Sequence, residues 1–279
     1  MALRFRPSLG RPNASVATTA DRLIYAVGDV HGRSDLLERL LEQIDSDASQ
    51  AAIVSRPALI FVGDYVDRGS DSRAVVERVI RLRTEDRYEV RALKGSHEAA
   101  LLEFLGDATQ GPTWAEYGGL QTLASYGVSP PALRSPMGDW EAVRRAFAEA
   151  LPARHLSFLS TLELTARYGD YIFVHAGIRP GVPISAQQEH DLLWIRDEFL
   201  QSHGPHEGVI VHGHTPEPAP FIGPQRIGID TGAYATGVLT AVRLQGTART
   251  FIQADGRFPR RAAAGPHPPV PTVREPHGA

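Results

Sequence analysis

Five short segments of this chain carry the residue types that chemistry needs. They are Gly28-Asp29-Val30-His31-Gly32, Gly63-Asp64-Tyr65-Val66-Asp67-Arg68-Gly69, Gly95-Ser96-His97-Glu98, His175-Ala176-Gly177 and His212-Gly213-His214-Thr215. Asp29, His31, Asp64, His175 and His214 offer oxygen and imidazole nitrogen, donors suited to Mn, Fe or Zn rather than to an iron–sulfur or blue-copper site. The chain has no cysteine, so thiolate ligands and disulfides are excluded. A carboxylate within such a set can bridge two cations about 3.5–4 Å apart, an arrangement that clamps a phosphoryl group and activates water. His97, flanked by Glu98 after a glycine turn, suits a proton donor better than a ligand, and Arg68 supplies a planar fork for phosphate oxygens. Taken singly these segments are weak signals, because Asp and Gly favour turns for backbone reasons alone. Their shared context is what makes them informative.

Each segment follows an apolar run of strand length. Leu23 to Val27 precedes Asp29, Leu59 to Val62 precedes Asp64, and Val90 to Lys94 precedes Ser96. Tyr171 to Val174 and Val209 to Val211 precede the two later histidine turns. Continuous apolar runs of this length read as strands buried on both faces, and open α/β sheets hold their ligands at the carboxyl ends of such strands. Between them, Leu36, Leu37, Leu40, Leu41 and Ile44 share one helical face behind a possible Ser34 cap. Val75, Val76, Val79 and Ile80 do the same behind Ser70 or Asp71. The β-α-β-α-β order argues for a parallel core with right-handed crossovers.

The pattern changes to helical over about 101–165, where Trp114, Tyr117, Leu120, Leu123 and Tyr126 are spaced as a packed face and a further helix runs from Trp140 to Leu151. This stretch is expected to be a helical insert over the edge of the site, its aromatics filling a core rather than lining a ligand box. Arg226 to Asp230, Gly237 to Leu244 and Ala248 to Ile252 are expected to close the fold as antiparallel strands. Residues 1–21 are expected to be a flexible leader, 22–255 one domain, and 256–279 a disordered Pro-rich tail.

The bulk properties are ordinary for a soluble globular protein. Apolar residues make up 42% of the 279, charged residues 22%, and the formal net charge is −3, so nothing draws the chain to nucleic acid or an anionic membrane. No apolar run approaches a membrane span and no secretory signal is present, which points to the cytoplasm.

The ordered set GDVHG, GDYVDRG, GSHE, HAG and GHT resembles the PPP-type serine/threonine phosphatases, bacterial and phage-like, of the calcineurin-like metallophosphoesterase superfamily. The resemblance spans about residues 23–245. It implies a four-layer α/β/β/α sandwich around two divalent transition metals, Mn being favoured over Fe or Zn. By position, Asp29, His31 and Asp64 resemble the ligands of one metal, with Asp64 bridging to a second held by His175 and His214. Ser96 stands where the family has an asparagine ligand to the second metal, and so that site is expected to be the weaker. His97 resembles the proton donor, oriented by Asp67, and Arg68 and Arg196 resemble the phosphate-binding arginines; His212 has no counterpart role. The resemblance also implies direct attack by a hydroxide bridging the metals, with no phosphoenzyme.

Other branches of the superfamily fit less well. The tyrosine ligand of purple acid phosphatases would fall at Asp67, and the second histidine of the Gly-His-x-His phosphodiesterases at Pro216. Symmetrical dinucleoside tetraphosphatases typically have Ala-Arg-Gly and Asn-His-Asp where this chain has Asp67-Arg68-Gly69 and Ser96-His97-Glu98. A phosphomonoester hydrolase acting on phosphoproteins is therefore the leading expectation. A symmetrical dinucleoside polyphosphate hydrolase, or phosphodiesterase activity favoured by Ser96, is the alternative, and a catalytically weak phosphate-binding module the third.

Overall fold

A computed structural model describes residues 17–51, 55–132 and 134–256. The expected tail beyond 256 and the leader before 17 lie outside the described residues. Residues 17–21 are tied to the fold: the Thr18 N–H donates to Asp170 Oδ2, and the Thr19 N–H to the Gly246 carbonyl.

The strands are β1 (Leu23–Val27), β2 (Ala58–Phe61), β3 (Glu89–Ala92), β4 (Thr165–Tyr168), β5 (Tyr171–Val174), β6 (Val209–His212), β7 (Phe221–Ile222), β8 (Arg226–Gly228), β9 (Val238–Gln245) and β10 (Ala248–Asp255). They form two five-stranded sheets, ordered β10-β9-β1-β2-β3 and β4-β5-β6-β8-β7. In the first, β1, β2 and β3 are parallel, with β9 and β10 added antiparallel. In the second, β5, β6 and β8 are parallel, flanked by antiparallel β4 and β7. The expected antiparallel closing set is thus half right. β9 and β10 pair as expected, but Arg226 to Gly228 joins the other sheet, parallel to β6. An apolar run carries no record of which sheet it will join.

Strand alternation builds three cores. Ile24, Ala26, Ile60, Val62, Val242 and Leu244 of the first sheet pack directly on Phe173, Val211, Ile227 and Ile229 of the second. The opposite face of the first sheet, with Leu23, Tyr25, Val27, Leu59 and Phe61, lies under helices α1 (Ser34–Gln50) and α2 (Ser72–Leu82). The outer face of the second, with Ile172, Val174 and Ile210, is covered by Leu192, Ile195 and Phe199. Helices, sheet, sheet and helices make the four expected layers. No helix among the described residues is long and apolar enough to cross a membrane.

Helix α1 buries the five expected residues, but its Ser34 hydroxyl donates to Asp71 Oδ2 instead of capping its own helix. Asp71 does cap α2, accepting from the Ala74 N–H at 3.3 Å. The insert between β3 and β4 comprises α3 (Ser96–Gly106), α4 (Gly111–Trp114), α5 (Leu120–Ser125), α6 (Met137–Ala150) and α7 (Ala153–Ser160). Phe104, Trp114, Trp140 and Phe147 form its aromatic centre, continuous with the core beneath α1 and α2.

Because Phe173 is fully buried between the sheets, Phe173→Ala should lower the free energy of unfolding by about 3–5 kcal/mol, read by urea denaturation. A loss below about 1 kcal/mol would mean that the inter-sheet layer is not a packed core.

Candidate metal and phosphate site

The parallel strands of both sheets end at a common edge, and the turns that follow them meet there. Asp29, His31, Asp64, Asp67, Ser96, His97, His175 and His214 are all buried at this edge. Backbone strain is concentrated in the same place. Among the described residues, the non-glycine positions with positive φ are Ala20, Asp21, His31, Asp64, Asp67, Arg68 and His214, and the last five all belong to the site. Left-handed backbone at such residues persists only where surrounding contacts hold it.

Asp64 is the shared member of two ligand-like clusters, His31–Asp64–His97 and Asp64–His175–His214. Its Oδ2 lies 3.6 Å from His31 Nε2 and its Oδ1 3.4 Å from His175 Nε2. The tautomers of His31 and His175 are fixed from behind. His31 Nδ1 donates to the Val66 carbonyl at 2.8 Å and His175 Nδ1 to the Val62 carbonyl at 2.9 Å, so that each Nε2 presents a lone pair to the site. Burial pushes His31 down to about 3 and His214 to about 2, and it lowers His175 as well, so these rings are neutral ligands at pH 7. Asp64 is held below the carboxylate range against its own burial by attraction to surrounding imidazoles when they carry a proton, and of these His97 is the one whose proton affinity is raised.

Asp29 accepts from the His214 N–H through Oδ2 at 2.9 Å, which ties the first turn to the last. Its Oδ1 faces Gly213 so closely that a Cβ there would stand 1.9 Å away, which explains the glycine. Burial, followed by repulsion from Asp230 and Asp64, raises Asp29 well above the carboxylate range. A dication beside it would reverse that preference. Among the buried polar atoms without a hydrogen-bond partner are Asp29 Oδ1, His175 Nε2 and His214 Nε2. Buried polar atoms are nearly always paired, and the orphaned His175 Nε2 and His214 Nε2 belong to one of the clusters that share Asp64, which fits divalent-cation binding at that carboxylate.

The remaining expected residues line the adjoining pocket. Asp64, Arg68, Ser96, His97, Ala100, Tyr117, Trp194, Arg196 and His214 enclose about 80 Å³. A cavity of this size takes a small anion, and the rest of a substrate would stay outside. His97 Nδ1 donates to Asp67 Oδ2 at 2.7 Å, leaving Nε2 toward Asp64 at 3.9 Å. Burial opposes charge on this ring, but Asp64 and the bond to Asp67 prevail and raise it above its ordinary value. Arg68 is not positioned as a free fork. Its Nη1 donates to His31 Nε2 at 3.1 Å, and its guanidinium lies 4.6 Å over the Tyr234 ring. A cation taken by His31 would replace that bond and free the fork. Ser96 Oγ is 3.4 Å from His214 Nδ1, too long for a strong bond. His212 is held by the Gly213 carbonyl and Arg226, away from both clusters.

Sequence reasoning passed over several supporting residues. Glu98 accepts the backbone N–H groups of Asp64, Tyr65, Val66 and Gly95 at 2.8–3.2 Å. Asp230 follows an apolar strand into an Asp-Thr-Gly turn, the same signal as the other turns, and is raised to about 6, chiefly by burial. Trp114 packs in a core as expected, yet its Nε1 also donates to Asp67 Oδ2 at 2.8 Å. Tyr117, expected in a core, is 61% exposed at the pocket wall.

The profile of the family described as "Calcineurin-like phosphoesterase" matches residues 22–238. Serine/threonine-protein phosphatase 1 of Salmonella typhimurium is 28% identical over 80% of this chain and 93% of its own length. A symmetrical bis(5'-nucleosyl)-tetraphosphatase of Acidovorax sp. is 28% identical over 88% and 73%. Among solved structures, a proposed diadenosine tetraphosphatase superposes with a TM-score of 0.57 at 21% identity, covering 85% of this chain and 98% of that one. A cold-active protein-tyrosine phosphatase of a Shewanella species superposes at 0.51 and 17%, covering 83% and 80%.

Mn²⁺ at about 100 times its dissociation constant should stabilise the protein by about 2.7 kcal/mol for each site filled, read as a rise in melting temperature. Asp64→Asn should abolish most of the rise, His175→Ala should remove part of it, and Ser96→Asn should make half-saturation occur at lower Mn²⁺. An unchanged rise in Asp64→Asn would refute the shared site.

Proposed function

The chain belongs to the calcineurin-like phosphoesterase family, a family of dinuclear-metal hydrolases, and on that premise we propose that it hydrolyses phosphomonoesters, phosphorylated side chains of proteins among them. The observation that carries this reading is the buried His97–Asp67 pair in the wall of the pocket that Asp64, Arg68 and Arg196 also line. In this reading Asp29, His31 and Asp64 hold one cation, and Asp64, Ser96, His175 and His214 the other. When bound, the two cations supply Lewis-acid charge to the phosphoryl oxygens and lower the pKa of water.

The chain's own groups do the rest. Arg68 and Arg196 offer forks to the non-bridging oxygens, and a monoester dianion uses both more fully than a diester does. His97 holds a proton at Nε2 for the departing oxygen, while Asp67 fixes the ring through Nδ1. That donor matters most for alkoxide leaving groups such as serine or threonine.

A second reading, hydrolysis of dinucleoside polyphosphates, has its own support. Trp194 and Tyr117 expose flat faces beside the pocket, where a base could stack, and the Acidovorax relative bears that activity in its name.

The two readings separate on kcat/KM for a phosphothreonine peptide against diadenosine tetraphosphate, with Mn²⁺ present. The peptide should win, and a clear preference for the tetraphosphate would establish the second reading instead. His97→Asn should lose about 10²–10⁴-fold on the peptide, the usual contribution of a general acid. A wild-type rate in that variant would remove His97 from the mechanism.

A further inference from the structure

The Asp67–Arg68 turn is gripped from one side by the insert. Trp114, Gly118 and Thr122 recur at intervals of four along a helical segment kinked at Gly118 (φ 110°), and all three reach the same turn. Trp114 Nε1 donates to Asp67 Oδ2 at 2.8 Å, the oxygen that also receives His97 Nδ1. The Thr122 hydroxyl donates to Asp67 Oδ1 at 2.6 Å and accepts from the Asp67 N–H at 2.9 Å. The Gly118 carbonyl accepts from the Arg68 N–H at 3.2 Å, and a Cβ at Gly118 would stand 2.6 Å from that nitrogen. Ser72 completes the set, with Oγ 3.1 Å from the Asp67 N–H and 3.0 Å from Thr122 Oγ1.

Asp67, Ser72 and Thr122 are fully buried and Trp114 nearly so. Both carboxylate oxygens of Asp67 are therefore held by protein donors from fixed, buried side chains. Such a satisfied network has one geometry, and removing one member leaves a buried polar atom unpaired. Asp67 and Arg68 also sit at φ 71° and 67°, a conformation that its surroundings must impose. The rings of Trp114 fill the core, stacked on Phe104 and packed against Gly119. The indole N–H aimed at a carboxylate of the site is the part that packing does not explain.

We infer that the Trp114–Gly118–Thr122 face of the insert is a positioning element for the proton donor, setting the Asp67 carboxylate and through it the ring of His97. The inference rests on the phosphoester-hydrolase reading above. It makes the insert part of the catalytic apparatus: the donor is aligned only while this face is seated on the turn. None of the three residues lines the pocket itself, and the side chains of Trp114 and Thr122 act on Asp67, so their effect should appear in leaving-group dependence rather than in substrate affinity.

The test compares a phosphoserine peptide, whose alkoxide needs protonation, with p-nitrophenyl phosphate, whose phenolate does not, in excess Mn²⁺. Trp114→Phe and Thr122→Val should each lower kcat on the peptide about tenfold, a fraction of what a general acid supplies. On the aryl ester they should lower it less than about twofold, with KM unchanged on both. Thr122→Ser, which keeps the hydroxyl, should restore the peptide rate. In a His97→Asn background Trp114→Phe should cost nothing further, because the ring it positions is gone. Equal losses on the two esters, or an undiminished loss in the His97→Asn background, would show a merely structural role and overturn the inference. If the unaltered protein cleaved neither ester, the hydrolase reading itself would fall, so the two failures are distinguishable.

Discussion

The site depends on keeping one carboxylate, Asp64, ionised and fixed in place although it is almost fully buried. Burial works against both demands, since a charge in a low-dielectric interior prefers to neutralise and a left-handed aspartate prefers to relax. Two devices answer. A proton on the His97 ring and the His97 backbone N–H at 2.9 Å from Oδ1 stabilise the charge. Glu98 takes the N–H groups of residues 64, 65 and 66 onto one carboxylate and so fixes the loop that bears Asp64. A residue held in this way belongs to two clusters at once, and the remaining ligands are arranged around it.

The two-sheet architecture is what allows ligands from distant parts of the chain to meet there. Parallel strands deliver successive turns to one edge, and face-to-face packing of two such sheets brings the edges together. Asp29 and His214 come from different sheets, yet a hydrogen bond joins them. The insert reaches the same edge from outside and adds the aromatic mouth formed by Tyr117 together with Trp194. Similarity of the same order to a protein phosphatase and to a dinucleoside tetraphosphatase means that overall identity does not choose between those substrates.

The parts of the molecule that were legible in the sequence are those whose cause is local. Tyr171-Ile172-Phe173-Val174 reads as a strand because both its faces are apolar, and Asp29, Asp64 and His214 read as ligands because each follows such a strand through a glycine turn. The register of α1 and α2 follows from spacing alone. What escaped is set by long-range contact. Nothing around Arg226 says that it will pair with β6 across the second sheet rather than with β9. Glu98 was legible only as the neighbour of His97; its part in gathering the N–H groups of residues 64–66 depends on a fold that the sequence does not spell out. Trp114 reads as core because an indole N–H has no direction in a sequence, and Arg68 reads as a free fork because its bond to His31 crosses between two turns.

The central claim, that Asp64 joins two cations in one site, is tested most directly by electron paramagnetic resonance of the protein loaded to saturation with Mn²⁺. A shared carboxylate brings the ions close enough for their spins to couple, so the spectrum should be that of an exchange-coupled pair and should collapse to that of isolated ions in Asp64→Asn. A saturated wild-type protein showing only isolated-ion signals would contradict the account.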